Sequence, residues 1–194
     1  MSDATDDIMR ATFCALCKHG YADLTMQRIA DESSVSKAAL HYHYDTKDEL
    51  LEAFLSQLLD RFRNRLETAD AEGPTERLDA FLDEVFTPTV EAEEEFATAI
   101  LELKAGAPYQ SAFRERLLDH DAFMREWVGA IVADGLDSGA FDTDRPPKEL
   151  ARSVVTMING AHARRVALDE SRASLHAQVR CDALAILGAR EVPA

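Results

Sequence analysis

From Ser33 to Tyr44 the chain carries no acidic residue, and within that stretch Lys37, Ala38, His41, Tyr42 and His43 are placed to face solvent from one short helix. Lysine and imidazole can donate to phosphate oxygens. A phenol can donate to a phosphate or a base edge, and a methyl group can pack against one. Together they can contact a polyanion without bringing negative charge to it. Other candidates for chemistry are poorer. Cys14 and Cys17 form a C-x-x-C pair inside a helical stretch, with no second pair and no nearby His pair to complete a zinc site. With Cys181 they make an odd, sparse set, which argues against a disulfide framework. The run Glu91-Ala92-Glu93-Glu94-Glu95 reads as a solvated helix start. No nucleophile–base–acid arrangement, Gly-rich phosphate loop or metal-ligand spacing is present, so neither an enzyme nor a cofactor is expected.

The elements that must position the acid-free stretch are helices. Ile8, Thr12, Ala15 and Leu16 form a buried stripe that stops near Gly20. Thr25 reads as the cap of a short second helix with Met26, Ile29 and Ala30 inward, and Ser36 as the cap of a third with Ala39 and Leu40 inward. Ile29, Ala30, Val35 and Leu40 lock one helix across the other. Two short helices joined by a tight turn within a three-helix cluster describe a helix-turn-helix. Asp45-Thr46 then interrupts the chain before a longer helix over Lys47–Leu66.

The stretch Gly20-Tyr21, Leu24-Thr25, Ile29-Ala30, Val35-Ser36-Lys37, His41 to Lys47 and Glu49-Leu50-Leu51 resembles the N-terminal domain of the tetracycline-repressor (TetR/AcrR) family. The resemblance is detailed over residues 8–55 and implies an all-α homodimer of about nine helices. Residues 1–50 would form the helix-turn-helix DNA-binding domain, and residues 51–194 a helical ligand-binding and dimerisation domain. By residue match, Thr25 and Ser36 stand at the starts of the two short helices against the DNA backbone. Lys37, Ala38, Tyr42 and His43 would lie in or beside the major groove, and Lys47 would meet a phosphate. His41 stands where the family most often has Tyr, and Tyr44 replaces the usual Phe.

Downstream, helices are expected near 75–88, 92–105, 109–138, 147–168 and 172–189, broken at Gly73-Pro74, Thr87-Pro88, Gly106-Ala107-Pro108 and Arg145-Pro146-Pro147, with Gly129 a candidate kink. In a bundle of the implied kind, Phe62, Phe86, Phe96, Ile100 and Leu103 are candidates to line an effector pocket. His120, Phe123, Met124, Trp127 and His162 complete that set. The last two helices should pair antiparallel. The resemblance implies that their stripes, Val154, Ile158 and Ala161 on one and Leu175, Val179, Ala183, Ile186 and Leu187 on the other, meet a second copy. Gly160 would permit close approach of another helix. Ligand binding would then tilt the helix that starts at Lys47 and change the spacing of the two DNA-reading heads.

The 36 acids against 21 Lys plus Arg give a net charge of −15, which ordinarily argues against nucleic acid. The acidity is concentrated in residues 67–144, with 20 acids against 5 bases, and spares the acid-free stretch. Two explanations compete: adaptation to a halophilic, high-salt cytoplasm, or a helix-turn-helix retained as a protein-interaction module without specific DNA binding. An acidic N-terminus and the absence of a long apolar run predict a cytoplasmic protein without a membrane segment. The favoured expectation is a ligand-responsive repressor. It would bind a double-stranded, pseudopalindromic operator as a homodimer and be released by a small-molecule effector.

Overall fold

Residues 3–68, 71–87 and 93–189 are described by the computed structural model. They contain nine α-helices and no strand: α1 (Asp3–His19), α2 (Met26–Asp31), α3 (Lys37–His43), α4 (Lys47–Glu67), α5 (Pro74–Phe86), α6 (Glu93–Gly106), α7 (Ser111–Ser138), α8 (Pro147–Leu168) and α9 (Arg172–Leu187). A 3-10 turn over Ala107–Tyr109 separates α6 from α7. The chain is all-α, as the periodicity predicts, and the helix ends fall close to the expected breaks. Residues 88–92, which hold Pro88 and the start of the acidic run, lie outside the described residues.

Local chemistry explains the boundaries. Gly20 ends the turn after α1 at φ +70, a conformation that costs glycine little. Thr46 Oγ1 accepts the Glu49 N–H at 3.1 Å and Glu49 Oε2 accepts the Asp45 N–H at 2.9 Å, a reciprocal cap that starts α4. Pro147 occupies the first turn of α8, where its missing N–H costs nothing. Gly188 closes α9 in the left-handed conformation.

The helices assemble into two compact units. One combines Met1–Arg61 with Pro88–Leu117, the other Phe62–Thr87 with Leu118–Ala194. In the first, Ile8, Ala15 and Leu16 of α1, Ile29 of α2, Leu40 of α3 and Leu50 and Leu51 of α4 are fully buried. Ala99 and Leu103 of α6 and Phe113 of α7 complete that core, because α6 packs on α1. The division therefore differs from a single cut at residue 50. Thr12, the one buried polar side chain among the described residues, donates its hydroxyl to the Ile8 carbonyl at 2.8 Å.

In the second unit, Leu78, Phe81 and Leu82 of α5, Val128, Ile131 and Val132 of α7 and Leu150, Ala151 and Val154 of α8 interlock with Leu175, Val179, Ala183 and Leu187 of α9. Each such buried aliphatic side chain removes about 1.5–3 kcal/mol of apolar hydration cost. Helix α7 runs unbroken through Gly129, where a Cβ would make an ordinary contact with the Ala151 Cβ at 3.9 Å. Gly160 is exposed, and among the described residues nothing lies within 4 Å of where its Cβ would be. Arg180 forks Asp79 through Nε at 2.6 Å and Nη2 at 2.7 Å, tying α9 to α5.

Candidate nucleic-acid interface

Two capped helix starts and one exposed helix face build the interface. Thr25, in extended backbone, accepts the Arg28 N–H at 3.2 Å, and Ser36 accepts the Ala39 N–H at 3.2 Å. Each cap uses an oxygen lone pair and leaves the hydroxyl hydrogen available to an outside acceptor. Both residues are exposed. Helix α3 buries Leu40 completely and turns Lys37, Ala38, His41, Tyr42 and His43 to solvent. Tyr42 is 88% exposed, an unusual state for so large an aromatic side chain. Its ring meets His43 edge-on at 5.5 Å. Tyr44 is half-buried, and burial beside Glu49 raises its phenol pKa, so this residue fills the core instead of joining the exposed row.

Among the described residues neither Lys37 nor Lys47 is in an ion pair, whereas Lys18 is bound by Glu32 at 2.7 Å and Arg10 by Asp7. The positive charge of α3 is thus uncommitted. Lys47, at the first position of α4, is half-buried, with its ammonium 4.9 Å from the centroid of the Tyr21 ring.

The turn between α2 and α3 is held from α1. Asp7 Oδ2 accepts the Ser33 hydroxyl at 2.7 Å, the Ser34 N–H at 2.8 Å and the Ser34 hydroxyl at 2.8 Å. These donors, with Arg10, hold the Asp7 carboxyl well below the usual carboxylate range, Ser33 being the strongest influence. Sequence reasoning missed Asp7, because an acid near the start of an amphipathic helix carries no sign of what it will cap 27 residues on.

The ten residues expected to line a pocket separate between the units. Phe96, Ile100 and Leu103 belong to the first: Phe96 lies 4.9 Å from Phe13 and 6.2 Å from Phe54, and Leu103 is 1% exposed. They fill the core beneath the helix-turn-helix. The other seven fall in the second unit. There Phe62 lies 5.4 Å from His120 and 6.4 Å from Phe123, Phe123 lies 5.7 Å from Trp127, and the Arg63 guanidinium covers Phe123 at 4.9 Å. Phe86 stands 5.4 Å from His162 and 5.3 Å from His176. Met124 is buried alongside them in the core of this unit. Arg63 and His176 were not anticipated.

The residues expected at the dimer interface are largely buried within a single chain. Val154, Ile158, Ala161, Leu175, Val179, Ala183 and Leu187 are all at most 6% exposed within a single chain, and Ile186 packs partly against the same core. The apolar stripes of α8 and α9 pack against each other and the rest of their own unit. The exposed residues of these helices include Thr156, Gly160 and Ala167 on α8 and Ala173, Ala177, Cys181 and Ala185 on α9.

Cys14 and Cys17 are half-buried, and burial pushes the Cys17 thiol up to about 11, away from thiolate reactivity. Among the described residues no group of three or more His, Cys, Asp or Glu side chains is arranged to hold a metal ion. No helix among them is long and apolar enough to cross a membrane.

Residues 8–54 match the model of the tetR family of bacterial regulatory proteins, and residues 74–187 match that of the BetI-type transcriptional repressor C-terminal domain. A TetR transcription regulator of known structure from Haloarcula marismortui is 41% identical, with 96% of this chain and 97% of that one covered and a TM-score of 0.86. The HTH-type transcriptional repressor AcnR of Corynebacterium glutamicum is 21% identical over 159 residues, 82% of this chain and 80% of that protein. A transcriptional regulator from Saccharomonospora viridis, solved in complex with choline, shares the fold at 19% identity and a TM-score of 0.86, covering 98% of this chain and all of that one. With both of its domains matched and the helix-turn-helix geometry intact, the chain belongs to the tetR family and is a transcription regulator, not an enzyme.

Proposed function

We propose that the protein is a cytoplasmic repressor that binds a pseudopalindromic DNA operator as a homodimer and leaves it when a small molecule binds the C-terminal domain. The observation that carries this reading is the exposed face of α3, where Lys37, Ala38, His41, Tyr42 and His43 point to solvent and, among the described residues, enter no ion pair with an acid. Residues 1–50 supply the DNA contacts and residues 51–194 the sensing and pairing. The naming of the C-terminal match and of AcnR as repressors supports repression over activation.

The −15 charge fits this role in a concentrated-salt cytoplasm, and the similar regulator from Haloarcula supports that setting. Each phosphate neutralised by a cation steepens the loss of affinity with salt by about 0.9 on a log–log scale. A reader that relies on hydroxyls, a tyrosine and two lysines loses less. A shallow salt dependence is therefore part of the proposal.

A second copy would pair through the outward rows of α8 and α9, whose small side chains let helices approach closely. Gly160, otherwise unexplained, sits in that face. Two-fold symmetry then sets the α3 helices about 34 Å apart on successive major grooves. The effector site would use the aromatic cluster around Phe62, Phe86, His120, Phe123, Trp127 and His162, with Met124 behind it. The choline complex of the Saccharomonospora regulator makes organic cations the first ligands to screen.

The test is anisotropy titration at molar KCl with a duplex enriched by the protein from a random pool. Lys37→Ala combined with Tyr42→Ala is expected to abolish sequence-specific binding while leaving the helical circular dichroism intact. A folded double variant that binds as well as the parent would leave the interaction-module reading in its place.

A further inference from the structure

Lys47 is far from the sequence that most constrains it. Its ammonium lies over the Tyr21 ring, 4.9 Å from the centroid. Tyr21 itself is gripped from the end of α6, the segment that follows it and the start of α7. The Tyr21 backbone N–H donates to Glu102 Oε2 at 2.6 Å, and its hydroxyl accepts from Gln110 Nε2 at 2.7 Å. Phe113 meets the ring edge-on at 6.1 Å. Both glycines at this contact are constrained. A Cβ on Gly106 would lie 3.3 Å from Tyr21 Cε1, and a Cβ on Gly20 would lie 3.1 Å from Glu102 Oε2, at a residue already at φ +70. All of these groups belong to the first unit.

A lysine has four rotatable side-chain bonds, and holding its ammonium in one place costs entropy. A ring face at cation–π distance offsets part of that cost before any DNA arrives. We propose that Tyr21, fixed by Glu102 and Gln110, is a positioning residue that presents the Lys47 ammonium to a DNA phosphate, so that residues 102–113 govern DNA affinity through Lys47. The inference rests on the reading of Lys47 as a phosphate contact and goes beyond it by assigning what sets the lysine's position. A displacement of the α6–α7 junction would move the Tyr21 ring and release Lys47 without touching α3.

The experiment uses the full chain and a duplex enriched by the wild-type protein from a random 30-base-pair pool. Lys47→Ala should weaken binding and reduce the salt slope by about one. Tyr21→Leu should cost about two- to five-fold in affinity, with most of that loss absent in the Lys47→Ala background. Tyr21→Phe, which keeps the ring, should recover most of it. Independently of DNA, the chain has only five lysines, so carbon-13-labelled lysine resolves them by NMR. The Lys47 ε-methylene, assigned with Lys47→Arg, should be shifted upfield by the ring current in the wild type and in Tyr21→Phe. It should return to the free-lysine position in Tyr21→Leu.

An unshifted Lys47 resonance in the wild-type protein overturns the proposal even where Tyr21→Leu fails to fold. Additive losses in the Tyr21→Leu and Lys47→Ala double variant overturn it too, and leave the phosphate contact standing. A Lys47→Ala variant that binds and responds to salt like the parent, or a pool from which nothing is enriched, removes the underlying reading and the proposal with it.

Discussion

Asp7 and Ser34 are 27 residues apart in sequence, yet Asp7 Oδ2 accepts both the Ser34 N–H and the Ser34 hydroxyl at 2.8 Å. The first helix therefore fixes the turn that sets α3 across α2. Hydrogen bonds to a charged acceptor contribute about 1.5–3 kcal/mol each when the geometry is good, less at a partly exposed site. Asp7→Ala is expected to lower stability by about 1–2 kcal/mol. The Asp7 carboxyl titrates below its unfolded value, so its stabilisation is complete above the unfolded pKa and is lost as pH falls through the folded value. The melting-temperature difference between the parent and Asp7→Ala should be constant from neutral pH to about 5 and shrink below about pH 4. A difference independent of pH down to 3 would show that the carboxylate is not what holds the turn.

The pairing face and the core face of α9 should respond oppositely. Ala177→Arg, on the outward row, is expected to turn the dimer into a folded monomer in sedimentation equilibrium. Leu175→Ala, on the buried row, should cost about 2–5 kcal/mol in denaturant unfolding of the chain. A dimer unaffected by arginine at position 177 would move the interface elsewhere.

Glycine substitutions separate strain from collision. Gly188→Ala combines a positive φ of 59 with a Cβ 2.1 Å from the Asp142 carbonyl oxygen, where the chain also accepts the Asp142 N–H. It should cost clearly more than about 1 kcal/mol. Gly139→Ala carries a similar φ of 73 with nothing within 4 Å, and should cost about 1 kcal/mol. Equal losses by denaturant titration would remove the role assigned to the Asp142 contact.

The single tryptophan reports on the sensor. Trp127 lies 5.7 Å from Phe123 in the second unit, so a ligand bound there should change its emission. Phe123→Ala should weaken that response at least several-fold, and Phe96→Ala should lower stability while leaving the ligand affinity near the parent's. If Phe96→Ala abolishes ligand binding in a folded protein, the separation of the two aromatic groups does not describe the sensor.

Local rules made much of this readable in advance. Caps depend on a few neighbouring residues, so Thr25, Ser36 and the exposed row of α3 were legible, as was the start of α8 from Pro146 and Pro147. Choice of partner was not. The stripe Phe96, Ile100 and Leu103 has the same spacing whether α6 packs on α1 or lines a sensor, and periodicity does not distinguish the two. The stripes of Val154 and Val179 were given to a second copy by the family resemblance, whereas within one chain they lie in the core of their own unit. What remains outward mixes alanines and Gly160 with polar residues such as Arg152, Asn159 and Gln178, which carries little hydrophobic signal. Asp7 and Glu102 act across 27 and 81 residues and left no local trace.

The central claim is that α3 reads DNA. Its most direct test is to mix the purified protein at molar KCl with fragmented genomic DNA from its own source, recover the bound fragments and sequence them. The expected result is a small set of fragments sharing an inverted repeat with half-sites one helical turn apart, lost from the recovered pool with Lys37→Ala plus Tyr42→Ala. Recovery of no fragment above background by a folded dimer, at every salt from low to molar, would contradict it.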